Sequence, residues 1–173
     1  MTLQIRHLRA DDDRSSFHSG NADLDRFFLR YAGQNQFRHH LGATWVVVDG
    51  ATILGFATVA PAEVTPGEMQ GALRKRLPVH SVPVLRLARL AVDSHAQGRG
   101  LGAQLLRFVF VLARRLAGDF GCVGVLVDAK PEAIEFYQRY GFHPLELLQG
   151  GLGDRPRPVP MFLELGAIPD EAE

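Results

Sequence analysis

Between His95 and Leu106 the chain reads HAQGRGLGAQLL. Gly98, Gly100 and Gly102 lie around Arg99 and lead straight into an apolar helical pattern. Glycine in such a place costs conformational entropy. What it returns is bare main chain that a ligand can approach. A helix N-terminus free of side chains offers unpaired N–H groups and the positive end of the helix dipole. The chemistry this stretch suits is anion binding, with a phosphate the first expectation.

The rest of the chain must position that loop. At 173 residues it is long enough for a sizeable core, and one domain is expected over 1–166 with a disordered tail over 167–173. Lys plus Arg equals Asp plus Glu, 19 each, so the bulk charge demands neither nucleic acid nor a membrane surface. The single cysteine, Cys122, leaves no internal disulfide and suits a reducing compartment. MTLQIRHLRADDD lacks the apolar core of a leader, and no apolar run approaches the length of a membrane span, so the cytoplasm is expected. The histidines have no metal-ligand spacing and no CxxC occurs, so no metal is expected.

LQIRHL alternates and can open a sheet. Asn21 is an N-cap for a helix through ADLDRFFLRYAGQNQF, whose Leu24, Phe28, Tyr31 and Ala32 share a face. TWVVV and ILGFATVA flank Asp49-Gly50 as a hairpin. Within the less regular Pro61–Pro83 connection, GALRKRLP has the pattern of a short helix. VLRLARLAV is a strand running into the glycine loop, and Leu101, Leu105, Phe108, Val109, Leu112 and Leu116 then repeat at helical spacing. CVGVLVDA is a short apolar strand, PEAIEFYQRY a helix opened by Pro131 and stopped by Gly141, and VPMFLEL a closing strand. The final GAIPDEAE reads as a frayed tail. A hairpin followed by strand–helix–strand–helix–strand makes an α/β or α+β sandwich with helices against one sheet.

Gly98, Gly100 and Ala103 satisfy the letters of the dinucleotide fingerprint, with Asp128 ending the next strand. That reading fails on context. Asp93 to Gln97 separate the first glycine from its strand, and too little chain follows Asp128 for a doubly wound sheet. The other spacing in the same letters, Gln97-x-x-Gly100-x-Gly102, resembles the acetyl-coenzyme A loop of the GNAT superfamily of N-acetyltransferases. LARLAVDSHAQGRGLGAQLL is similar to that family's strand–loop–helix motif. DAKPEAIEFYQRYGFHPL is similar to its second motif, with Phe136, Tyr137, Gly141 and Phe142 in place.

The resemblance implies a GNAT fold, a mixed central sheet splayed at the acetyl-CoA site with flanking helices. It implies that backbone N–H groups of Gly98, Arg99, Gly100, Leu101 and Gly102, following Gln97, hold the pyrophosphate. Leu90, Ala91 and Val92 would pair with the pantetheine arm as an added strand does, with Phe136 also against the coenzyme. Tyr137 would stand near the sulfur, where a phenol of ordinary pKa near 10 can protonate the departing thiolate. The competing readings are that Tyr137 is a core aromatic, or that Tyr140 is the acid.

The strand before the loop carries no carboxylate until Asp93, and Glu63 is the nearest other base. A lysine amine, near pKa 10.4, needs a base; an α-amine, near 7.7–8.0, needs less help. FHSGNADLDRFFLRYAGQNQ, TWVVVDGATILGFATVAPAEV and ALRKRLPVHSVPVLRLARLAVD resemble the GNAT toxins of bacterial toxin–antitoxin pairs, which acetylate the α-amine of aminoacyl-tRNA. That resemblance implies a ribbon-helix-helix antitoxin as partner and a homodimer. Zero net charge departs from what a tRNA binder needs. The cations are uneven, however: Arg26, Arg30 and Arg38 recur near helical spacing, Arg74, Lys75 and Arg76 cluster, and Arg86 and Arg89 lie on the strand before the loop. Each could equally be a solvated charge. The alternatives are a small-molecule or protein acetyltransferase, and a GNAT-fold binding module without catalysis.

Overall fold

The computed structural model describes residues 2–65, 80–145 and 158–169. Its strands are β1 (Leu3–His7), β2 (Ala43–Asp49), β3 (Thr52–Val64), β4 (Val82–Val92), β5 (Gly124–Ala129), β6 (His143–Pro144) and β7 (Val159–Glu164). Its helices are α1 (Ala22–Arg30), α2 (Ala32–Phe37), α3 (Leu101–Asp119) and α4 (Ile134–Arg139). The strands form one mixed sheet in the order β1-β2-β3-β4-β5-β7-β6. By compactness the chain divides into two units: Met1–Ala60 with Leu87–Val111, and Pro61–Arg86 with Leu112–Glu173. Among the described residues no helix is long and apolar enough to cross a membrane.

In the first unit β1, β2 and β3 are antiparallel, from Leu3 opposite Asp49 and Ala43 opposite Val59. The Asp49-Gly50 turn closes the β2–β3 hairpin, with Gly50 at φ 61 as such a turn requires. Phe28 lies flat on Phe56, centroids 4.3 Å apart, and Phe17 meets both rings edge-on. These rings join Leu8, Phe27, Val46, Val48, Ile53 and Ala91 in a core that holds α1 against the sheet. Asn21 caps α1 as expected, its side chain accepting from the amides of Asp23 and Leu24 at 3.1 Å.

The expected single helix over 22–37 breaks at Tyr31. Phe27 and Phe28 are buried on α1, while Tyr31, at the break, is 44% exposed. The hydrophobic pattern alone gave Tyr31 to the core because it assumed one uninterrupted helical phase. On α3 the inward stripe is Leu101, Leu105, Leu106, Val109 and Ala113. Phe108 packs instead on Trp45, with ring centroids 4.5 Å apart.

In the second unit β5 pairs antiparallel with β7, and the short β6 with β7's other edge. Val64, Val82, Val84, Leu145 and Phe162 form its core. The chain end departs from expectation. Residues 165–167 form a 3-10 turn rather than fraying, Ile168 is buried, and the Arg114 guanidinium donates to the carbonyls of Ile168 and Pro169 at 3.0 and 3.3 Å. One apolar side chain and one bidentate donor outweigh the weak local propensity of GAIP. The last four residues lie outside the described residues.

Phe28 is fully buried and carries the α1–sheet contact. Phe28→Ala should lower unfolding stability by about 3–5 kcal/mol. Urea denaturation of both proteins checks this, and a loss below about 1 kcal/mol would mean the stack does not anchor α1.

Candidate active site

The glycine loop is built as its composition demands. Gly98 and Gly100 stand at φ 82 and 76, in the left-handed region, and a Cβ on either would meet nothing within 4 Å. Backbone conformation, not crowding, therefore requires glycine there. Gly100's carbonyl accepts from the Gln104 amide at 3.1 Å, so the amides of Leu101, Gly102 and Ala103 precede the helical ladder. Behind them α3 runs 19 residues. Leu101 is buried, while Gln97, Gly98, Arg99 and Gly100 are exposed. Amides ahead of the helical ladder, a long helix dipole and exposed residues around them are features that suit an anion.

The loop is held from the side by two residues. Asp93 is only 9% exposed. Its carboxylate accepts from the amides of His18 at 3.0 Å and His95 at 2.9 Å, and its own amide donates to Leu54 on β3 at 2.8 Å. Burial opposes the charge on Asp93, but those two amides and the His95 ring hold its carboxyl below the usual carboxylate range. Gln97 uses its side-chain amide twice, donating to Ser19 O at 3.0 Å and Val92 O at 3.2 Å. The Arg99 guanidinium reaches back to His95 O at 3.4 Å.

Leu90, Ala91 and Val92 end β4. Asp93 bonds to β3, so Val92, one residue earlier, turns its N–H and C=O toward the other edge. Ala91 is buried; Leu90 and Val92 are half-buried. Just upstream, the Arg89 guanidinium sits 3.8 Å from the centre of the Phe27 ring, a cation–π contact within the first unit. Both residues line a pocket of about 90 Å³. Asn35, Gln36, Leu41, Thr44, Thr58 and Ala88 also face it, and none of its lining residues is a carboxylate. Its floor is fixed by the buried Thr44–Thr58 hydroxyl pair at 2.7 Å. The Gln36 amide spans Leu8 O at 3.1 Å and the Thr44 amide at 2.7 Å. Sequence reasoning missed this pocket. Its residues come from the helix break and from three strands, and only Arg89 carried a charge worth noting.

In the second unit Tyr137 lies on α4, 5% exposed, with Phe136 and Phe142 edge-on at 5.1 and 5.4 Å. Burial pushes its phenol well above the ordinary tyrosine range, so it keeps its proton at every physiological pH. Burial therefore keeps the phenol neutral and makes it a weaker proton donor than an exposed tyrosine. Tyr140, at the end of α4, is half-buried and shares the Phe136 ring at 5.3 Å. Arg86 is exposed and paired with Asp128 at 2.6 Å. Arg86 and Arg89, grouped by sequence, thus have unlike surroundings. Arg26, Arg30 and Arg38 are exposed on and beside α1 and α2, near the exposed rings of Tyr31 and Phe37. Glu63 is exposed on β3. Arg74, Lys75 and Arg76 lie outside the described residues.

A family model described as an acetyltransferase (GNAT) domain matches residues 40–144. The chain is 34% identical over 151 residues to a tRNA-acetylating toxin of Mycobacterium tuberculosis (strain ATCC 25618 / H37Rv), over 83% of this chain and 89% of that protein. Among solved structures, the chain is similar to a bacterial toxin with TM-score 0.85 and 26% identity, covering 95% of this chain and 92% of that one. It shares the fold of AtaT complexed with acetyl-methionyl-tRNAfMet, with TM-score 0.82 and 23% identity over 96% of each chain.

Asp93 supplies a pH test of the loop's anchorage. A carboxyl held below its unfolded value, about 3.9, adds stability above that value and loses it as pH falls through the lower folded one. Asp93→Asn should therefore be less stable than the parent at pH 7, with the gap closing in acid. Thermal melts from pH 3 to 7 check this. A gap that stays constant across that range would show that the charge is not what anchors the loop.

Proposed function

The chain belongs to the GNAT acetyltransferase family, and from that premise we propose that it transfers acetyl from acetyl-CoA to the α-amine of an aminoacyl-tRNA, as the toxin of a toxin–antitoxin pair. What carries this reading is the likeness to a tRNA-acetylating toxin along 83% of the chain. The geometry agrees with it at three points. The amides ahead of α3 suit the coenzyme's pyrophosphate. The outward edge at Leu90 and Val92 suits the pantetheine amides. The pocket beside Arg89 offers the acceptor no carboxylate base, which favours an amine already partly neutral at pH 7.

In the proposed reaction the neutral amine attacks the thioester carbonyl carbon, and the carbon–sulfur bond breaks. The amine's surplus proton passes to water. The departing thiolate takes its proton from a phenol, assigned to Tyr137, which burial makes a weaker acid than an ordinary tyrosine, and the water that received the amine's proton returns one to the phenolate. The tRNA would lie over α1 and α2. There the exposed Arg26, Arg30 and Arg38 meet phosphates, and the exposed Tyr31 and Phe37 offer faces for unpaired bases. Arg74, Lys75, Arg76 and Arg86 remain assigned to the tRNA on charge alone. A ribbon-helix-helix antitoxin, a homodimer and a cytoplasmic site of action complete the proposal and follow from the family resemblance.

The test is incubation with labelled acetyl-CoA and total charged tRNA. Label should enter the aminoacyl fraction at a rate that falls steeply with salt, because counterion release drives the binding. Tyr137→Phe should bind coenzyme normally and lose about 10²–10⁴ in kcat. Efficient labelling of a polyamine or a peptide with none in the aminoacyl fraction would reassign the acceptor. A folded, coenzyme-binding protein that labels neither would be a binding module.

A further inference from the structure

The segment between β1 and α1 carries no chemistry of its own, yet the glycine loop and α1 both hold on to it. Phe17 roots it in the aromatic core. His18 exchanges two bonds with the start of the loop: its amide donates to Asp93 at 3.0 Å, and its carbonyl accepts from the Ser94 amide at 2.8 Å. Ser19 faces both ways. Its carbonyl accepts the Gln97 amide at 3.0 Å, while its own amide and hydroxyl donate to the Asp25 carboxylate on α1 at 2.9 and 2.6 Å. Two residues later Asn21 caps α1. An unbroken chain of bonds thus runs from Gln97 through Ser19 to Asp25, entirely within the first unit.

The use of Gln97 is unexpected for the first position of an anion loop. The side-chain amide of Gln97 donates to two carbonyls, those of Ser19 and Val92, rather than turning to the loop. Val92 O lies on the strand edge assigned to the coenzyme arm. Gln97 therefore joins that edge, the base of the loop and the approach to α1 through one amide group. Helix α1 carries Phe27, the ring beneath Arg89 in the acceptor pocket.

We propose that Gln97 is a positioning residue that ties the coenzyme loop through Ser19 and Asp25 to α1, so that filling the loop and ordering the acceptor side of α1 are one coupled event. The inference rests on the assignment of coenzyme to the loop and acceptor to the α1 pocket. Coupling of this kind is reciprocal: whatever coenzyme does to the acceptor's affinity, the acceptor does to the coenzyme's. It needs no large movement, because ordering one end of a hydrogen-bonded chain lowers the cost of ordering the other.

The experiment uses the full chain and coenzyme A as probe. Calorimetry gives the affinity, and hydrogen exchange with and without coenzyme A reads the amides of 98–104 and of 22–30. In the parent, coenzyme should slow exchange in both segments. Gln97→Met keeps the length and removes both donors; Gln97 is exposed, so the fold should stand. This variant should bind coenzyme about three- to tenfold more weakly, the scale of lost hydrogen bonds. It should still slow exchange at 98–104 and lose the slowing at 22–30. Gln97→Arg, which retains donors, should recover it. Asp25→Ala, which removes the acceptor of both Ser19 bonds, should break the chain from the far end, losing the slowing at 22–30 with the loop's own protection intact.

Unchanged affinity and unchanged α1 protection in Gln97→Met would overturn the inference. So would a loss of binding beyond about a hundredfold with the loop unprotected, which would make Gln97 a direct phosphate ligand. A parent protein that binds no coenzyme A would instead overturn the assignment on which the inference rests, and the inference with it.

Discussion

The first N–H groups of α3 lie ahead of the helical ladder, at the end of a loop made of little but exposed main chain. That constraint governs what surrounds them. To approach the helix from Asp93 without covering its end, the chain must pass twice through left-handed backbone, at Gly98 and Gly100. A loop with so little side chain cannot hold its own shape. Its rigidity is borrowed from Asp93 and Gln97, and these in turn hold residues 18–19, which Phe17 anchors in the core. The aromatic stack of Phe17, Phe28 and Phe56 thus supports the loop as well as α1.

The two units bring different chemistry. The first supplies fixed dipoles and a cation: the amides ahead of α3, and Arg89 lying on Phe27 in a pocket without carboxylates. The second supplies Tyr137, a neutral phenol walled by aromatic rings. An active site with few charged side chains also reconciles a neutral chain with a charged substrate. The cations that would meet tRNA are spread on the exposed surface of α1 and α2 and need not raise the net charge.

Much of this was legible where a residue type has one local use. Glycines ahead of a helical pattern, Asn21 before an apolar face and Asp49-Gly50 between two strands each state a backbone requirement, and the structure meets all three. The GNAT family itself was readable from two motifs. What was not legible depends on tertiary partners. The break at Tyr31 starts α2 in a new phase, so that Ala32, Asn35 and Gln36 line the pocket with Phe27 of α1, and Gly33 two residues on was not read as its mark. The docking of Ile168 depends on Arg114, 54 residues away along the chain. Gln97 was read as part of a phosphate loop because its neighbours are; that its amide turns back to Ser19 and Val92 follows from where residues 18–19 happen to pass.

The central claim is that backbone amides at the head of α3 receive the coenzyme's phosphates. It is tested most directly by amide chemical shifts of the isotopically labelled protein titrated with coenzyme A. The account predicts that the largest changes fall on Gly98, Gly100, Leu101, Gly102 and Ala103, with downfield movement as those N–H groups gain charged acceptors. Saturable binding that leaves these five amides in place and moves others instead would contradict it.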